Sequence, residues 1–241
     1  MDVVSQEIEV PVGGEKMPCH IARPKAGGPY AALVVVMEAF GLNGQMKRIT
    51  DRFAAEGFVA ISPNLYFRMP NNVVGYDQLP AAIKLMSSIT DEGVLGDMKA
   101  AIAYLKTQTG VKPSIGVTGF CMGGRISFLT ACRNPDVKAV APYYGGGMVS
   151  SMQPGMKPPI DYAGTLEAPV LALFGGKDAF IPIADVDKFR DALQKAGKPA
   201  EVVLYADADH GFMCDERPSY HAAHSKEAFA KTIDFFKRNL A

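Results

Sequence analysis

Two kinds of hydrophobic pattern take turns along the chain. Val4–Val10 and Met17–Arg23 alternate apolar and polar residues, and Gly13-Gly14 between them reads as the turn of a hairpin. Ala31–Met37 (AALVVVM) is a continuous β-branched run, as expected of a strand buried on both faces. Gln45–Glu56 then places Ile49, Phe53 and Ala54 on one helical face, and Gly57 stops it. The alternation continues with a strand over Phe58–Ser62, closed by Pro63. A helix over Asp91–Thr109 follows, with Val94, Met98, Ile102 and Leu105 at helical spacing. Beyond it the pattern predicts strand Ser114–Phe120, helix Met122–Arg133, strand Val137–Pro142 and strand Pro169–Phe174. Helix Ala184–Ala196, strand Ala200–Tyr205 and helix Ser225–Leu240 complete the chain.

Strands and helices that alternate in this way predict an α/β fold with a mostly parallel central sheet and helices on both faces. The opening hairpin is placed at an antiparallel edge. Pro70–Pro80 and Gly145–Gly164 are the longest irregular segments, and loops of that length serve a function or move. No repeat, low-complexity tract or charged linker interrupts the pattern, so residues 1–241 are read as one domain.

Composition narrows the function. Apolar residues make up 48% of the chain, enough for a sizeable core. Lys+Arg (25) balances Asp+Glu (25), which argues against a nucleic-acid or anionic-membrane binder. The longest apolar stretch, Tyr30–Met37, is too short to span a bilayer. The first residues, Met1–Gln6, lack the basic start and apolar run of a signal peptide, so a cytoplasmic protein is expected. Cys19, Cys121, Cys132 and Cys214 show no CxxC spacing and no zinc-type Cys/His cluster. They read as reduced thiols, and no metal or other cofactor is expected.

One motif then dominates. Gly119-Phe120-Cys121-Met122-Gly123-Gly124 lies between a predicted strand and a predicted helix. It has the form of the nucleophile elbow of α/β-hydrolases, with cysteine in the serine place. A sharp turn strains the nucleophile's backbone and leaves room only for glycine two residues to either side. A thiol at a helix N-terminus also faces unpaired N–H groups, which favour the reactive thiolate. Asp178 follows the strand Pro169–Phe174, and His210 follows Ala200–Tyr205. The order nucleophile, acid, histidine is the one this fold uses. His210 is therefore the candidate base toward Cys121, and Asp178 the group that orients it. His221 and His224 are weaker candidates near the start of the last helix, and His20 is expected at the surface. The loop after Ala31–Met37 supplies one oxyanion donor in this fold, so the N–H groups of Ala39 and Met122 are expected to hold the oxyanion. Glu38 stands beside them as a group that exchanges a proton or hydrogen bond with Cys121.

With these residues in place the chain resembles the dienelactone hydrolase family. The resemblance rests on Glu38-Ala39-Phe40-Gly41-Leu42-Asn43, Pro63-Asn64-Leu65-Tyr66, the Cys121 motif, Tyr143-Tyr144-Gly145, Phe174-Gly175-Gly176-Lys177-Asp178 and His210-Gly211-Phe212. It implies a triad of Cys121, His210 and Asp178, with Glu38 touching the resting thiol and helping to deprotonate it when substrate binds. It also implies hydrolysis of a small-molecule ester or lactone through an acyl-thioenzyme, in a pocket lined by Phe40 and Tyr144. The chain departs from the family at two arginines that grip a substrate carboxylate. Asn71–Lys84 contains no arginine, although Arg68 lies nearer the strand. Cys214 occupies about the place of the other arginine, and Arg217, three residues on, is the candidate in its stead. Met37 also stands where a polar group is common. Two other readings stay open at this stage, a thiol-based redox sensor and a non-catalytic binding protein. A monomer or small homo-oligomer fits all three.

Overall fold

The β-branched run becomes β3 (Tyr30–Val36), whose side chains are buried on both faces. In the computed structural model, which describes residues 1–151 and 156–241, β3 lies inside an eight-stranded sheet. β4 (Val59–Pro63) and β5 (Val111–Phe120) flank it in parallel. β6 (Val137–Tyr143), β7 (Val170–Gly175) and β8 (Ala200–Tyr205) extend the parallel sheet beyond β5. β1 (Val3–Val12) and β2 (Glu15–Pro24) form the expected hairpin, and β2 joins antiparallel to β4. The spatial order is β1-β2-β4-β3-β5-β6-β7-β8.

That order positions the site. From β3 the chain passes to β4 on one side, then crosses to β5 on the other. The carboxyl ends of β3 and β5 lie side by side while their connections leave in opposite directions, which opens a crevice there. Val36 of β3 is in register with Gly119 of β5. Glu38 and Cys121, each two residues further on, therefore leave the sheet at the same end.

Among the described residues there are six helices: α1 (Gly44–Ala55), α2 (Leu79–Ser87), α3 (Asp91–Thr107), α4 (Met122–Arg133), α5 (Ile183–Lys195) and α6 (Ala222–Asn239). Asn43 caps α1 by accepting from the Met46 N–H at 3.1 Å, and Thr90 caps α3 by accepting from Gly93 at 3.1 Å. α4, which runs from the expected first residue to the expected last, is buried along nearly all its length. Its buried Arg125 makes a two-pronged bond through its terminal nitrogens to Asp91 at 2.6 and 2.9 Å, which ties α4 to α3.

Three expectations need correction. α2 begins inside the segment read as irregular. Its Pro80 lies in the first turn, where a missing N–H costs nothing. A short 3-10 turn, Pro159–Thr165, closes the Gly145–Gly164 segment, and residues 152–155 of that segment lie outside the described residues. His20 is buried rather than at the surface. Its cross-strand partner Glu7 and Asp51 of α1 cover it, each with a carboxylate oxygen 2.8 Å from one of its ring nitrogens. No described helix is long and apolar enough to cross a membrane.

Candidate active site

β5 ends at Phe120 and α4 begins at Met122, so Cys121 alone makes the turn. Its backbone sits at φ 56° and ψ −119°, a conformation that residues with a side chain rarely adopt. The turn is held by the Cys121 N–H, which donates to the Tyr143 carbonyl at 3.1 Å, and by the Gly124 N–H, which donates back to Cys121 at 2.9 Å. The flanking glycines are required by contact. A Cβ on Gly119 would strike the Gly123 carbonyl, and one on Gly123 would strike the carbonyls of Val36 and Met37. Cys121 thus occupies the N-cap position of α4, facing first-turn N–H groups that have no intrahelical acceptor.

The acid and the histidine arrive on two loops stitched together. The Gly176 N–H donates to the Tyr205 carbonyl at 2.7 Å, and the Lys177 N–H to Ala208 at 2.9 Å. Gly175 and Gly176 allow this approach, since a Cβ on either would meet the backbone of the His210 loop. Asp178 Oδ2 then lies 2.7 Å from His210 Nδ1. Asp178 Oδ1 accepts the N–H groups of Phe180 and Ile181 at 2.8 and 3.2 Å. This network assigns the proton to Nδ1 and leaves Nε2 for the sulfur. Burial lowers the pKa of His210, but hydrogen bonds and charge from Cys121 and Asp178 outweigh it and hold the imidazole above its usual range.

Glu38 is buried at the end of β3. Tyr144 donates to its Oε1 at 3.4 Å, while Oε2 has no hydrogen-bond partner among the described residues. Burial raises the Glu38 pKa against the opposing charges of Arg217 and His210. Tyr144 has a left-handed backbone, φ 34°, and its ring stands 5.2 Å from the His210 ring. Phe40 packs on Tyr76 at 4.7 Å, and the Arg217 guanidinium lies over both rings at 5.6 and 5.7 Å. Arg217 also packs against Gly211, next to His210. The structure therefore gathers Glu38, Phe40, Cys121, Tyr144, Asp178, His210 and Arg217 at one end of the sheet. Arg68 is engaged elsewhere, with Asp97 at 2.9 and 3.1 Å and Glu15 at 2.6 Å. Cys214 is buried, and burial pushes its thiol up to about 11. His221 and His224 pair with Asp207 instead.

Two residues not singled out in the sequence belong to this region. The buried Tyr66 hydroxyl donates to the Ala39 carbonyl at 3.2 Å and contacts Met122 Sδ at 3.1 Å, so it joins the two expected oxyanion donors. Its place just past β4, in the Pro63-Asn64-Leu65-Tyr66 segment, was the available signal. Phe180 packs its ring 5.2 Å from His210 although the residue is 65% exposed, and nothing in the sequence marks it. Beside Met122 a cavity of about 230 Å³ is lined by Ile83, Met86, Ile89, Val94, Ile126 and Met156, among others.

The dienelactone hydrolase family model matches residues 17–240. A protein of Escherichia coli K12 named "Putative carboxymethylenebutenolidase" is 37% identical over 240 residues, covering 98% of this chain and 88% of its own. A Synechocystis protein of the same name is 36% identical over 244 residues, covering 100% of this chain and 99% of its own. Among solved structures, one described as a "Putative Dienelactone Hydrolase" from Klebsiella pneumoniae superimposes with TM-score 0.91 at 37% identity, covering 99% of this chain and all of that one. A dienelactone hydrolase-like phosphotriesterase from metagenomic libraries, at 21% identity and TM-score 0.83, shares the fold. The chain belongs to the dienelactone hydrolase family.

Proposed function

We propose that this hydrolase cleaves a carboxylic ester or lactone through a thioester on Cys121. The observation that carries the proposal is the strained turn at Cys121, at a helix N-terminus and within reach of a histidine bonded to Asp178 at 2.7 Å. The sulfur attacks the substrate carbonyl, and the oxyanion is held by the N–H groups of Ala39 and Met122. As the intermediate collapses, the His210 imidazolium protonates the departing alkoxide, which opens a lactone or frees an alcohol. Water attacks the thioester next, giving its proton to His210, and the acid leaves with Cys121 restored. Glu38 draws off the resting thiol proton when substrate displaces its present neighbours. Phe40 and Tyr144 line the substrate pocket, Arg217 offers a cation to a substrate carboxylate, and the cavity beside Met122 accepts apolar substrate atoms.

The decisive measurement is turnover of a small activated ester and a panel of lactones, dienelactones included. Cys121→Ala is expected to abolish turnover, and mass spectrometry of His210→Ala with ester is expected to show an acyl adduct on Cys121. Full activity in Cys121→Ala overturns the mechanism. A Cys121–Cys214 bond formed at low peroxide, without esterase activity, would place the chain with thiol sensors instead. The burial of Cys214 argues against that outcome.

A further inference from the structure

We propose that Asp207, His221 and His224 form a site for one divalent transition-metal ion of the Zn2+ or Ni2+ type. The ion would clamp the loop carrying His210 to the start of α6. The proposal does not depend on the thioester mechanism.

The donor atoms already converge. Asp207 Oδ1 lies 2.5 Å from His224 Nε2, and Asp207 Oδ2 lies 3.4 Å from His221 Nε2. All three donors fall within 4.8 Å of one another. The imidazoles stack at 4.0 Å and 24°, so both Nε2 atoms face the same carboxylate. Metal–ligand bonds of about 2.0–2.2 Å place ligand atoms roughly 3 to 3.5 Å apart in tetrahedral or octahedral geometry. The His221 contact is at that spacing, and the His224 contact reaches it when the carboxylate swings outward. Asp207 is free to swing, with its side chain 59% exposed. The open side leaves the remaining coordination positions to water. Two imidazoles and one carboxylate suit borderline divalent ions and suit Mg2+ or Ca2+ poorly.

The two states differ by a defined exchange. His221 caps α6 through Nδ1, which accepts the His224 N–H at 3.3 Å, so the His221 proton sits on Nε2. A metal on Nε2 requires that proton to move to Nδ1, and the cap bond is given up for the metal bond. The clamp would bear on the catalytic end of the sheet. Asp207 lies three residues before His210, and its neighbours Tyr205 and Ala208 hold the backbone that carries Asp178.

Titration of the full chain with Co2+ and Zn2+ tests the site, read by the visible Co2+ spectrum and by thermal unfolding. Expected are one equivalent bound, a rise in Tm and no thiolate charge-transfer band, all retained in Cys121→Ala. Asp207→Asn and His224→Ala are expected to weaken binding by roughly ten- to a hundredfold or more, the loss that even outer partners of metal ligands cause. His221→Asn keeps a good helix cap while removing the ligand, so it is expected to lose binding without loss of stability. No saturable binding, binding abolished by Cys121→Ala, or unchanged affinity in His221→Asn and His224→Ala would each overturn the proposal.

Discussion

Asp178 Oδ2 lies 2.7 Å from His210 Nδ1, while the other oxygen of the same carboxylate takes two backbone N–H groups. The backbone bonds fix the carboxylate, and the carboxylate fixes the imidazole. Asp178→Asn preserves one acceptor for the backbone but presents an amide to Nδ1 and favours the wrong tautomer. The expected result is a fold of near-native stability with kcat down by a factor on the order of 10² to 10⁴, as for the equivalent change in a serine triad. Steady-state kinetics with an activated ester measures this, and a kcat within a few-fold of the native value would exclude Asp178 from the mechanism.

Tyr66 links Ala39 to Met122 through one hydroxyl. Tyr66→Phe removes the link and nothing else of size. It is expected to lower kcat about tenfold with KM little changed, less than the roughly 10²–10³ that losing an oxyanion donor costs. The stability cost is about 1 kcal/mol, that of one buried hydrogen bond. A loss of stability with kcat intact would make Tyr66 a packing residue only.

The sheet, the turn at Cys121 and the Asp178–His210 pair were legible because each leaves a local mark. A β-branched run marks a strand buried on both faces, and Gly119 and Gly123 mark a turn that a Cβ would break. α2 was hidden because Pro80 signals a loop until a first helical turn accommodates it. His20 looked exposed because its burial depends on Glu7 across the hairpin and Asp51 from a later helix. The meeting of Asp207, His221 and His224 was hidden for the same reason, since a loop and a helix end supply it together.

The glycines give opposite expectations at two positions. Gly123→Ala drives a methyl group into the Val36 and Met37 carbonyls beneath the elbow, a clash in rigid backbone. A loss of about 1–3 kcal/mol or more is expected, together with loss of activity. Gly96, exposed in α3, has open space around its Cβ position. Gly96→Ala is expected to add about 0.5–1 kcal/mol by restricting the unfolded chain and favouring helix. Urea unfolding of both variants checks the pair. Equal effects would mean that the elbow backbone yields.

Glu38 connects stability to function through pH. Its folded pKa is raised above the ordinary carboxyl value of about 4.5, first by burial, with Arg217 and His210 only partly offsetting that. A carboxyl group shifted upward favours the fold fully below its unfolded pKa, where it is protonated in both states. That contribution is lost as pH rises through the folded pKa. At neutral pH Glu38 is thus a destabilising group retained at the end of the sheet that carries Cys121. Glu38→Gln keeps the acceptor for Tyr144 and removes the charge. It is expected to raise Tm at pH 7. Little change is expected below pH 4, and kcat/KM is expected to fall. Thermal unfolding across pH 4–8 in parallel with ester kinetics tests both halves. Equal Tm curves for the two proteins would show that the buried carboxyl carries no penalty, and unchanged kinetics would remove Glu38 from thiol activation.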